Sequence, residues 1–308
     1  MPRRMAKSES RPAHNLRGIV LRSLSVMCFA VTIAAMKKAS EDGVVAMEMI
    51  FYRSLFGLPL VLAWLIAGPG IRVIRTKRPG AHLIRSAIGL IGILMNFVAL
   101  IRLPLADAVT IGFSAPIFAT IVSGLLLGDK IGPHRWAAVV FGFLGVAMIV
   151  RPGATSLDQF GLLMAIGGAI GTATVTITVR QLGGTEHAGA IVFWFFICAG
   201  VASGIGSIFL GQAHMPQTWA LLVLGGLFGA AAQVLMTMSL QAAPVSVVSP
   251  FDYLQIVWAT LIGWLVWSVG PSLGTLAGGA LIVGSGLYTA WREHRRNRNV
   301  IPATPPLE

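Results

Sequence analysis

Ten apolar runs, most of them near 20 residues long, decide what this chain can become. They fall approximately at 17–36, 44–66, 82–101, 106–127, 136–150, 160–179, 189–210, 218–240, 245–266 and 272–290. A run of about 20 apolar residues spans the ~30 Å hydrocarbon core as a helix. Within that core every backbone polar group must be satisfied internally, which leaves helices or closed barrels. Breakers part the runs: Gly68-Pro69-Gly70, Pro79-Gly80, Gly132-Pro133, Pro152-Gly153, Gly183-Gly184, Pro216, Pro244 and Gly270-Pro271. The expectation is an all-α membrane protein of ten transmembrane helices. The fifth run is the shortest.

Composition supports this class. Charged residues make up 11% of the chain, against roughly 25% in soluble domains. The net charge of +12 sits in tails and loops with no aromatic interleaving, so nucleic acid is not an expected partner. Cys28 and Cys198 lie inside apolar runs with no metal or disulfide spacing. The basic N-terminus resembles a signal peptide, but the run behind it is long enough to span and Lys37-Lys38 follows at once. It reads as a retained first helix.

Lys and Arg on alternate sides give an orientation. One side carries Arg3, Arg4, Lys7, Arg11, Arg17, Arg72, Arg75, Lys77, Arg78, Lys130, Arg135, Arg180, Arg292, Arg295, Arg296 and Arg298; the other carries Lys37, Lys38, Arg102 and Arg151. The bias places both termini in the cytoplasm and makes the number of spans even. The expected location is the inner membrane of a bacterial-type cell.

Sliding the chain by 138 residues brings Phe113 onto Phe251, Gly132 onto Gly270 and Pro133 onto Pro271. A shift of 142 or 143 brings Gly18 onto Gly161, Lys37 onto Arg180, and Phe51-Tyr52 onto Phe193-Trp194. Five spans per copy start the second copy on the opposite side, an inverted repeat of the kind secondary transporters use.

Leu103-Pro-Leu-Ala-Asp107-Ala, Ser114-Ala-Pro116-Ile-Phe, Leu127-Gly-Asp129-Lys, Arg135-Trp136, Gly142-Phe-Leu-Gly145 and Arg151-Pro152-Gly153 occur in that order. Together they resemble the EamA repeat of the drug/metabolite transporter superfamily. Ile50-Phe-Tyr-Arg53 resembles that family's second helix. The resemblance covers roughly 16–290 and implies two inverted five-helix repeats, with helices 1–4 and 6–9 around a central cavity and helices 5 and 10 outside. The expected organisation is a cytoplasmic tail over 1–15, repeats over 16–153 and 154–291, and a second cytoplasmic tail over 292–308. Two positions depart from the pattern: Asp129 stands where the family usually has glutamate, and the second copy has Trp267-Ser268 there. Ser249-Pro-Phe-Asp252-Tyr-Leu-Gln255 resembles a subset that includes riboflavin and S-adenosylmethionine uptake proteins.

A charge inside the hydrocarbon core costs about 2.5–3.5 kcal/mol on insertion scales and needs a reason. Arg53 lies about 14 Å and Asp252 about 10 Å along their helices. Glu48, which shares a face with Tyr52, is either a transport residue or solvated at the interface. Arg53 either recognises substrate or neutralises Asp252. Arg85 reads as snorkelling to the headgroups. Asn96, Ser114 and Gln233 are polar residues in apolar helices, equally suited to interhelical bonds. Trp194, Tyr52 and Tyr253 offer aromatic faces, and Gln255 lies near Asp252. Pro116 and Pro250 are expected to kink helices 4 and 9 beside a cavity. Gly278, Gly279 and Gly284 suit close packing, a homodimer seam among the options.

No enzyme signature emerges. Gly124 to Lys130 mimics a phosphate loop with the wrong spacing, and no histidine pair has metal-ligand spacing. No cofactor is expected. The expected function is a secondary transporter moving a small polar or aromatic-ring metabolite by alternating access, with membrane lipids as its other partner. The rivals are a lipid flippase and an intramembrane enzyme.

Overall fold

The computed structural model describes residues 11–127, 133–150, 158–183, 185–243 and 245–299. Asp129, Lys130 and Arg151, together with most of both tails, lie outside them. Among the described residues all regular structure is helical. The helices are α1 (Arg11–Glu41), α2 (Ala46–Ala67), α3 (Pro79–Arg102), α4 (Leu105–Gly112), α5 (Ala115–Leu127), α6 (Pro133–Val150), α7 (Gln159–Leu182), α8 (Ala188–Leu210), α9 (Pro216–Ala242), α10 (Val245–Val248), α11 (Leu254–Trp267) and α12 (Leu273–Asn299), with 3-10 turns at Ile71–Ile74 and Ser249–Tyr253. Seven segments are long and apolar enough to cross a membrane, and Trp136–Ile149, Phe251–Trp267 and Leu273–Tyr288 are shorter apolar helices.

The fourth and ninth expected spans are not continuous helices. The fourth breaks between Gly112 and Ala115. Pro116 has no N–H to donate and its ring clashes with the carbonyl four residues back, which is that of Gly112, the last residue of α4. Ser114 spans the break, its Oγ donating to the Ile111 carbonyl at 2.6 Å. In the ninth span Pro250 falls within the 3-10 turn between α10 and α11. The first helix extends beyond its expected end because Lys37 turns inward: its Nζ donates to the carbonyls of Leu100 and Leu103, both at 2.7 Å. That satisfies orphan acceptors at the C-terminus of α3.

Packing joins matching helices of the two halves, and their contacts run in reverse order. Along α2 and α8, Leu65 meets Gly189, Gly57 meets Phe196, Ser54 meets Gly200 and Phe51 meets Gly204. Along α6 and α12, Gly145 meets Gly278 and Ile282. Leu105 of α4 nears Gly263 of α11, while Phe113 nears Tyr253. Each pair is therefore antiparallel. Helix α1 packs on α9 and, as the matching arrangement, α3 packs on α7. At the α3–α7 seam the backbones touch: a Cβ on Gly171 would come within 2.6 Å of the Gly92 Cα. Such an approach requires glycine on both sides.

Candidate functional site

The site sits where the antiparallel α2–α8 pair meets α3 and α9. On α2, Arg53 is only 6% exposed. Its guanidinium carbon lies 5.4 Å from the centre of the Phe196 ring, and its shaft crosses Gly229 of α9. On α3, Arg85 is 7% exposed and stacks on Phe195 at 4.3 Å. The expectation that Arg85 reaches out to the headgroups is corrected: Gly89, one turn along, opens the wall against Phe195 and the side chain turns inward. Arg85 Nε and Nη1 are buried with no hydrogen-bond partner, and Arg53 has no ion-pair partner among the described residues.

Asp252 belongs to a different group. Its carboxylate takes an ion pair from Arg22 of α1, whose Nη2 donates to Oδ2 at 2.6 Å. Neutralisation by Arg53 does not occur, because α1 packs beside the 249–253 turn whereas α2 packs on α8 and α9. Beside Asp252, Tyr253 lies 5.4 Å from Phe113, ring centre to ring centre. The two helix breaks thus face each other, one from each half.

Glu48 is 1% exposed rather than solvated. It accepts from the Val45 amide at 3.1 Å and the Gln212 amide at 3.2 Å, with His214 Nε2 at 2.8 Å. This clamps the start of α2 to the α8–α9 connection. Tyr52 packs on Trp219, with ring centres 4.9 Å apart. Trp194 donates its indole N–H to the Ile74 carbonyl at 2.9 Å, fastening the turn after α2. Asn96 lies on the α3–α7 seam near Gly168 O and Thr172 Oγ1, both at 3.4 Å. Gln233 and Gln255 are half-buried. Trp267, which stands where the second copy lacks the family's acid, donates its indole N–H to Glu41 of α1.

Sequence reasoning missed Phe195, Phe196, Arg22 as the partner of Asp252, and a second histidine–glutamate contact. There, Glu186 accepts from Thr76 at 2.9 Å, while His82 Nε2 lies 3.4 Å away and both its ring nitrogens lack a hydrogen bond. Burial acts to raise the Glu186 carboxyl, but the Thr76 hydroxyl and His82 outweigh it and hold it below the usual carboxylate range. The 138-residue shift held the clue, since it places Glu48 on Glu186.

A bundle of apolar helices, two broken spans meeting face to face and unpartnered cations in its interior together describe a multi-pass membrane transport protein. The EamA-like transporter family model matches residues 16–151 and again 159–290, and the chain belongs to that family. It is 30% identical to a riboflavin transporter of Rhizobium johnstonii over 92% of this chain and 91% of the relative. To a pseudopaline exporter of Pseudomonas aeruginosa it is 31% identical, over 86% and 93%. To a riboflavin transporter of Vibrio cholerae it is 30% identical, over 93% and 98%. A solved crystal structure shares the fold with TM-score 0.64 at 20% identity, covering 93% of this chain and 99% of that one. Family and relatives mark a transporter, not an enzyme.

Proposed function

We propose that the protein is a secondary transporter that moves a small polar or aromatic-ring metabolite across a bacterial inner membrane by alternating access. In this reading the chain crosses ten times, as inverted five-helix repeats over 16–153 and 154–291, with both tails cytoplasmic. The observation that carries it is the pairing of Phe113 with Tyr253 across two breaks at matching points of the halves. Discontinuous helices at a repeat interface are where such transporters hold cargo, and the reversed contact order of matching helices supports the inversion. Substrate contacts are assigned to Arg53 on α2 and, in the separate group at the ninth-span break, to Asp252, Tyr253 and Gln255, with Gln233 as a further candidate on α9. Glu48, Tyr52, Asn96, Ser114 and Trp194 hold the helices around it.

Riboflavin is the first substrate to test, since two of the relatives carry it in their names. Purified protein in proteoliposomes should accumulate or exchange radiolabelled riboflavin, or another small metabolite from a competition panel. Asp252→Asn should lower that flux at least about tenfold, equivalent to roughly 1.4 kcal/mol. Arg22→Gln added to it distinguishes a lost ion pair, which the double variant repairs, from a lost substrate contact, which it does not. Lipid scrambling without solute flux would sink the proposal in favour of a flippase.

A further inference from the structure

Arg22, Arg53 and Arg85 lie well inside the helices of the first half, away from their ends, and they are treated differently. Arg22 has Asp252. Arg53 and Arg85 have phenyl rings in place of carboxylates. The two rings they lie on belong to adjacent residues, with centres 6.3 Å apart, so two like charges share one poorly polarisable interior, where they repel each other and each has given up its hydration. A fold does not keep such a pair for its own stability. The Glu48 carboxylate is committed to Val45, Gln212 and His214, so it does not offset them. Arg85 leaves Nε and Nη1 without a hydrogen-bond partner in a side chain that is 7% exposed, and each is a charged donor on a different edge of the guanidinium that an anionic oxygen can satisfy. Each guanidinium lies against a phenyl ring, and of the two rings Phe195 is half-buried while Phe196 is enclosed in the core.

We propose that Arg53 and Arg85 form a subsite for an anionic group of the cargo, a carboxylate or a phosphate, whose planar or apolar remainder lies against Phe195. This rests on the reading of the chain as a metabolite transporter. It narrows the cargo to anions, because one monoanion bound there neutralises half the buried charge.

The test uses full-length protein in phosphatidylcholine nanodiscs, with the thermal midpoint followed against benzoate, phenyl phosphate and neutral benzyl alcohol. Benzoate or phenyl phosphate should raise the midpoint saturably and benzyl alcohol should not. Arg85→Gln and Arg53→Gln should each raise the midpoint of the ligand-free protein, since a repelling charge has gone, and should weaken the anion response at least about tenfold. Arg85→Lys keeps the charge without the planar guanidinium and its spread of donors and should respond between wild type and Arg85→Gln; it decides the matter if the glutamine variants do not fold. A lower ligand-free midpoint with an unchanged anion response would make both arginines structural and overturn the proposal. So would loss of the benzoate response in phosphatidylglycerol nanodiscs, which would assign the anion to a lipid headgroup. Flux of an uncharged solute with no anion response overturns the anion subsite alone. Anion binding without flux of any solute overturns the transporter reading alone.

Discussion

At opposite ends of the antiparallel α2–α8 pair, a glutamate meets a histidine contributed by the other half, and the two contacts are finished to different degrees. At the start of α2, both Glu48 oxygens are in use, and His214 completes the set at 2.8 Å. Before α8, Glu186 has the Thr76 hydroxyl, but His82 stands at 3.4 Å with neither ring nitrogen hydrogen-bonded. The residue types are repeated and the bonding is not. The difference comes from the backbone around each acid. Glu48 is third in its helix and reaches back to the Val45 amide, while the α8–α9 connection supplies the Gln212 amide. Glu186 stands outside its helix, where His187 takes the capping role by accepting from the Gly189 amide. Glu48 is latched by two backbone amides and a histidine, whereas Glu186 has one hydroxyl bond and a longer histidine contact.

Removing the tight latch should have the largest effect. Glu48→Ala removes the acceptor of the part-buried Gln212 amide and leaves the buried His214 side chain without its partner, and we expect a loss of about 2 kcal/mol, read as a lower thermal midpoint. Labelling of a Ser207→Cys thiol, in protein with Cys28 and Cys198 replaced by alanine, should speed up in the same variant. A Glu48→Ala protein as stable as wild type would erase the distinction between the ends. Glu186→Ala removes one bond to a neutral hydroxyl and should cost about 1 kcal/mol. Acid should act in the same direction at that end. A carboxyl held below its ordinary value stabilises fully above the unfolded pKa of about 4.3 and loses its contribution as pH falls through the lower folded value. The Glu186→Gln variant should therefore lack the part of the pH 5 to pH 3 destabilisation that wild type shows. The smallest change is expected from His82→Leu. It removes two buried nitrogens that lack a hydrogen bond, which favours the variant, and also the contact that helps hold the Glu186 carboxyl down, which opposes it, so the net change should stay within about 1 kcal/mol.

The helices were legible because hydrocarbon thickness imposes a length that apolar runs must meet, and the prolines flagged both broken spans. What the sequence concealed was which way side chains face. Helix α3 is apolar nearly all round, so nothing local says whether Arg85 turns out to lipid or in toward Phe195. The tie from Arg22 to Asp252 joins positions 230 residues apart and depends on α1 lying against a turn that no periodicity encodes. His82 and His214 sit at helix edges, where histidines are ordinary, and their glutamates become visible only once the two halves are superposed.

Lys37 carries a consequence for how the molecule sits in its membrane. Of the cations counted on the sparse side, Lys37 is bound by two carbonyls, Lys38 by Glu41 and Arg102 by Asp158. On the crowded side, Arg72, Arg75, Lys77 and Arg78 are solvent-facing with no carboxylate partner among the described residues. A cation already engaged by protein has little pull left for anionic headgroups, whereas an unengaged one contributes about 1 kcal/mol near such a surface. In the proposed ten-span topology, adhesion to an acidic leaflet is therefore concentrated on the face that carries Arg72, Arg75, Lys77 and Arg78, like the weight of a keel, while the described cations of the other face are already engaged.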